Sequence, residues 1–236
     1  MNATTAGARL PLFDTLRGMA MVLMAIYHFC FDLDHFGIID VNMSRDEFWL
    51  IFRAVIMTSF MGLVGVGLFL SSARYSSTKF WLRLARVAAC AVVISVATYF
   101  LFGSRWTFFG ALHFIVIATL LGPLLIRIPI ACAVVGSAIV ALPSLYQNAF
   151  FSQPIWILTG LSPMRPATED FSPFAPWLGV VMLGVFVGFL ARKRFSHLAT
   201  FEVLSLSKLG HHSLVFYMTH QLVLFPIAWA ISKIFA

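Results

Sequence analysis

The stretch FDTLRGMAMVLMAIYHFCFDLDHFG, residues 13–37, decides how the chain is read. Its middle is a run of Met, Val, Leu, Ile and Ala suited to a bilayer, yet Asp14, Arg17, His28, Asp32, Asp34 and His35 interrupt it. Ionisable side chains in or beside hydrocarbon are costly unless they face protein or water, and they commonly mark functional paths. At 100° per residue Arg17 and His28 share a helix face, about 16 Å apart along the axis. His28, Asp32 and His35, at i, i+4 and i+7, continue that stripe, and the opposite side is Met, Val, Leu and Ile. An imidazole beside a carboxylate can be held in one tautomer and serve as general base toward a hydroxyl or an amine. Plainer readings stay open beside this one: a structural hydrogen bond at His28, an Asp14–Arg17 ion pair, and a solvated cap formed by Asp32, Asp34 and His35.

Composition sets the class. Of 236 residues 61% are hydrophobic and only 11% charged, with a mean hydropathy of +0.93, against roughly 25% charged residues in an average soluble domain. An integral membrane protein is expected. The opening MNATTAGARLPL is polar and small, and the apolar run after it is broken by charge and lacks a small-residue cleavage site, so a retained first helix is expected rather than a signal peptide. Cys30, Cys90 and Cys132 show neither CxxC nor Cys/His metal spacing; they read as small buried hydrophobes, and no metal is expected. The formal charge of +7 reports topology first, and no nucleic-acid partner is expected.

Seven candidate spans lie at about 12–33, 48–71, 80–102, 110–127, 129–146, 174–191 and 212–235. They predict an all-α, polytopic membrane helix bundle forming a single domain over 1–236. The fifth is marginal, since it starts at Pro129 and contains Pro143. The connection 147–173, with Pro154, Pro163, Pro166, Pro173 and Trp156, reads as an ordered cap on the membrane surface. An N-terminus inside and a C-terminus outside put most of the Lys and Arg on the cytoplasmic side, including Arg9, Arg17, Arg74, Lys79, Arg83, Arg86, Arg127, Arg192, Lys193, Arg194 and Lys208.

FDTLRGMAMVLMAIYH resembles the opening of the transmembrane acyltransferases, the superfamily holding the acyltransferase-3 proteins and the heparan-α-glucosaminide N-acetyltransferase catalytic domain. Arg17 and His28 match the Arg-x10-His signature of the acyltransferase-3 proteins. FGALHFIVIA (109–118), PWLGVVMLGVFVG (176–188) and LGHHSLVFYMTHQLVL (209–224) resemble, in order, blocks of the small bacterial members of the heparan acetyltransferase-like group. The lysosomal enzyme of that group departs from this pattern: it has Asn where His28 stands and a proposed catalytic His in the next luminal segment, whose nearest counterpart here is His35.

The resemblance implies a multi-pass protein of a bacterial inner membrane that moves an acetyl group from cytoplasmic acetyl-CoA to an acceptor on the outer face. The acceptor would be an amino sugar, a glycan or an envelope component; homo-oligomers stay open. His28 would be the base or a transient acetyl carrier, with Asp32 and His35 beside it. Arg17 and the inward-turned Arg83 and Arg86 would hold the CoA phosphates, and His220 would line the pantetheine path. Arg53 and His113, toward the outside, would face the acceptor, unless Arg53 pairs with Asp32 or Asp34. A His/Asp-lined transporter or proton-coupled permease is the competing reading, although no inverted repeat is visible.

Overall fold

The fold comes from a computed structural model, which describes residues 10–43, 45–72, 78–194 and 201–235. The helices are α1 Pro11–His35, α2 Glu47–Leu70, α3 Thr78–Phe102, α4 Ala111–Leu125, α5 Pro129–Leu145, α6 Phe174–Arg194, α7 Leu204–His211 and α8 Ser213–Phe235. Among the described residues there is no strand, only an isolated bridge between Phe109 and Phe171. The chain is therefore an all-helical membrane protein. Among the described residues five helices are long and apolar enough to cross a bilayer, and α4 and α5 are shorter apolar helices. All seven expected spans appear as helices; α7, of 8 residues, was not among them.

Local chemistry explains the ends of α1. Pro11 occupies the first turn, where its missing N–H costs nothing, and Asp14 there with His35 in the last turn suits the helix dipole. At the other end Gly37 takes φ 70°, and the Ile38 and Gly37 N–H groups donate to the carbonyls of Leu33 and Asp34. That double bond satisfies terminal carbonyls through a left-handed glycine.

The chain groups into two compact units, Arg9–Phe60 with Ser196–Ala236, and Met61–Phe195. In the first, α1 is the central element. The Val203 N–H donates to Thr15 Oγ1, Gly18 lies against the Leu206 carbonyl and Gly210 against the Asp14 carbonyl, so α7 packs closely against the first half of α1. A Cβ on either glycine would collide with backbone, so only glycine lets the two helices approach this closely. Along the second half of α1, His28 meets His220 and His35 meets Phe225, so α1 and α8 run in the same direction. Met21, Met24 and Ile56 form the buried core between them, walled by Tyr27, Phe52, Leu209, Phe216 and Tyr217.

In the second unit α5 packs on α6 and α3 on α4. Large apolar side chains stay exposed along α3, Phe100 at 81% for example, as expected for a helix whose solvent is lipid. The segment between α5 and α6 is folded: short 3-10 turns at Ala149–Ser152 and Trp156–Thr159, with the Asn148 N–H donating to Leu161 O and Thr168 Oγ1 to Trp106 O. Asp170 Oδ2 accepts from the Ala111 N–H at 2.7 Å and so caps α4 from a distant part of the chain.

Candidate active site

The polar residues of the first unit are joined by hydrogen bonds between α1 and α8. His220 Nδ1 lies 2.8 Å from the Tyr217 carbonyl, and His220 Nε2 lies 3.1 Å from His28 Nδ1. A carbonyl only accepts, so His220 carries its proton on Nδ1. In the neutral ring Nε2 is then the acceptor, and His28 must donate from its own Nδ1. The lone pair of His28 is thereby fixed on Nε2, which forms no hydrogen bond among the described residues. The Met24 carbonyl, one turn back, is a second backbone acceptor beside the His28 ring. Phe216 stacks on the His220 ring and Tyr27 meets the His28 ring edge-on, which holds both imidazoles. The arrangement supplies what a general base needs: one defined tautomer, a fixed ring and an uncommitted nitrogen.

Asp32 is one turn further along α1 and only 1% exposed. It does not orient His28. Its Oδ1 accepts from Gln221 Nε2 at 2.7 Å, and Asp32 Oδ2 and Gln221 Oε1 are buried without a partner among the described residues. The carboxylate and the imidazole share a helix face as the i, i+4 spacing requires, but each faces a partner on α8 instead of the other. Asp32 is no solvated cap; Asp34 is the one engaged with the following loop, accepting from the Val41 N–H.

The remaining predicted residues are placed differently. His35 is exposed at the end of α1, against Phe36 and Phe225, and makes no hydrogen bond among the described residues. Arg17 Nη1 contacts Asp14 Oδ1 at 2.8 Å, the ion pair that was its alternative reading. Arg53 is half-buried near Tyr27 and, among the described residues, forms no ion pair with Asp32 or Asp34. His113 belongs to the second unit and both its ring nitrogens are used: Nδ1 accepts from the Gly110 N–H, and Nε2 then carries the proton and donates to Ser95 Oγ, whose hydroxyl donates to Thr107 O. With both nitrogens engaged, His113 caps α4. Arg83 and Arg86 stand exposed on α3 instead of turning inward, and Arg74 lies outside the described residues.

A cavity of about 240 Å³ opens where α1 begins and α7 meets α8, lined by Asp14, Glu202, Lys208, His211 and His212 among others. Lys208 and Glu202 carry opposite charges in its lining, and Arg17 pairs with Asp14. His211 ends α7 and His212 links it to α8. The missed partner in the polar row is Gln221; a His-Gln pair inside the otherwise apolar α8 was the available signal.

A family model described as Heparan-alpha-glucosaminide N-acetyltransferase, catalytic, matches residues 9–222, and the chain belongs to that family. No curated protein and no solved structure matches the chain.

Proposed function

We propose, from membership in this membrane acetyltransferase family, that the protein transfers an acetyl group from acetyl-CoA to an acceptor across its bundle, with His28 as general base. The observation that carries the reading is the hydrogen-bond chain from the Tyr217 carbonyl through His220 to His28, which leaves His28 Nε2 free to take a proton. The family match favours transfer chemistry over the transporter reading.

In this reading the nucleotide end of the donor docks where α1 begins. Lys208, His211 and His212 line the cavity there, with Arg17 one turn along α1. From Asp14 to His28 is fourteen residues, about 21 Å of helix, a span suited to an extended pantetheine arm. The bound donor supplies the activated acetyl group. His28 Nε2 removes the proton from the acceptor nitrogen or oxygen as that atom bonds to the acetyl carbon and the C–S bond breaks, and the same imidazolium then returns the proton to the leaving sulfur. His220 holds the proton on His28 Nδ1 throughout. The positive-inside pattern puts the start of α1 on the cytoplasmic side, so the acceptor enters from the opposite face.

The test is transfer in sealed vesicles carrying the protein in one orientation. Acetyl-CoA on the side where α1 begins and an impermeant acceptor on the other should give product; both on one side should give none. His28→Ala should lower kcat by at least about a hundredfold while the protein stays folded and still binds acetyl-CoA. Turnover of His28→Ala within a few-fold of the parent removes His28 from the mechanism. Product with both substrates on one side removes the two-sided route.

A further inference from the structure

One pair of polar groups takes no part in the base chain. Asp32 is 1% exposed; its Oδ1 accepts from Gln221 Nε2 at 2.7 Å, while Asp32 Oδ2 and Gln221 Oε1 are buried with no partner among the described residues. Both orphaned atoms are acceptors as long as the carboxyl is ionised. Turning the amide over makes matters worse, since Nε2 is then the only donor of the two groups and it would face away from the carboxylate. No cation balances the charge either: His28, His35 and Arg53 form no ion pair with Asp32 among the described residues. An ionised carboxylate left in a bilayer on a single hydrogen bond is costly, and buried acids neutralise instead.

A proton on Asp32 Oδ2 resolves both defects at once. It turns Oδ2 into a donor, and the amide that already meets Oδ1 brings the acceptor it needs. A carboxylic acid and a primary amide each present a donor and an acceptor from one carbon atom, so they can close face to face as a ring of two hydrogen bonds. A hard metal cation is a poor substitute for the proton, since two protein oxygens fall well short of the six or more ligands it collects. We infer that Asp32 is held as the neutral acid, paired through both oxygens with the Gln221 amide, and that this pair is a positioning element that sets α8 against α1 so that His220 faces His28. The positioning half rests on the reading of His28 as the base. His220 and Gln221 are successive residues, about 100° apart round α8, and their partners His28 and Asp32 are one turn apart on α1. One tether would leave α8 able to turn about it. Two tethers at different angles and depths fix both register and rotation. The neutral acid also puts no anion one turn from an imidazole that has to rest unprotonated at Nε2.

Infrared spectra of the protein in lipid vesicles at neutral pH read the proton directly. The parent should show the C=O stretch of a protonated carboxyl that is missing from Asp32→Asn; identical spectra in that region mean an ionised Asp32 and overturn the inference. Asp32→Asn keeps an acceptor for Gln221 Nε2 and offers N–H where the acid offers O–H, so its unfolding midpoint should be no lower than the parent's and its kcat within a few-fold. Asp32→Leu and Gln221→Met cannot form the pair. Each should lower kcat roughly 10- to 100-fold, the scale of a lost hydrogen bond together with a misplaced ring, with KM for acetyl-CoA within a few-fold; Gln221→Met carries this arm if Asp32→Leu does not fold. A loss in Asp32→Asn as large as in Gln221→Met shows that charge at position 32 is what matters and overturns the inference. Because the pair acts through His220, adding Gln221→Met to His220→Leu should cost little more than His220→Leu alone, and losses that multiply overturn the positioning role. The spectrum and the midpoint need no turnover, so they support the neutral acid whatever the identity of the base, whereas full activity in Gln221→Met with the carboxyl band present in the parent leaves the acid and removes its positioning role.

Discussion

Replacing His220 tests the proton logic most directly, because His220 is argued to act only through His28. His220→Leu removes the acceptor of the 3.1 Å bond and the ring on which Phe216 stacks, leaving His28 only the Met24 carbonyl one turn back. A neutral hydrogen bond contributes about 0.5–1.5 kcal/mol net, or roughly 2- to 12-fold. Freed of it, the ring can also rotate and exchange tautomers, and a misplacement on the order of 1 Å costs about a hundredfold. The expected kcat is therefore roughly 10- to 100-fold below the parent, with KM for both substrates within a few-fold. His220→Gln is the informative companion. Its amide oxygen can accept from His28 while its N–H group donates to the Tyr217 carbonyl, reproducing the pattern, so it should recover most of the loss. Steady-state kinetics on protein reconstituted in vesicles, with thermal unfolding to confirm folding, would measure both. Wild-type kcat in His220→Leu would refute the relay, and equal losses in the two variants would show that ring packing matters and proton placement does not.

His113→Ala should act on stability and not on catalysis: losing the acceptor for the Gly110 N–H removes a helix cap contributing about 0.5–2 kcal/mol, seen as a lower unfolding midpoint with an unchanged acceptor KM. Gly18→Ala should cost about 1–3 kcal/mol, because its Cβ meets the Leu206 carbonyl and α7 must move off α1; an unaltered midpoint in detergent would show that the two helices are not closely packed.

The helices were legible because each is a run of apolar residues of bilayer length, a signal that lies along the chain. The partners within the site were not, because they lie across it. His28 and His220 are separated by 192 positions, and the i, i+4 stripe correctly puts Asp32 on the face of His28 without saying that α8 supplies a separate partner for each. His220 stood out as a histidine in an apolar helix, but its role depends on which ring nitrogen meets the Tyr217 carbonyl, and spacing carries nothing of that kind. Gln221, uncharged and next to a histidine, drew no notice. α7 escaped for a related reason: eight residues containing Ser205, Ser207 and Lys208 have neither the length nor the apolarity of a span, and its place is set by Gly18 and Gly210.

The same-direction pairing of α1 and α8 also decides what kind of site these residues can make. Antiparallel neighbours joined by a short turn would bring the beginning of one helix to the end of the other. Here the start of α1 and the start of α8 share one end, where Lys208, His211 and His212 line a cavity with Asp14, while the polar row lies deeper in both helices. On α1 the row is displaced from that end: His28 is about 21 Å from Asp14 but only seven residues, about 10 Å, from the end of the helix at His35. A group entering at that end meets apolar α1 residues such as Met21 and Met24 before it reaches an imidazole. A charged headgroup gains nothing by advancing into that stretch, whereas a thin neutral arm can cross it. In the proposed mechanism the order of side chains along α1, Arg17, an apolar stretch, then His28, is the order in which a donor entering at the start of the helix would meet them.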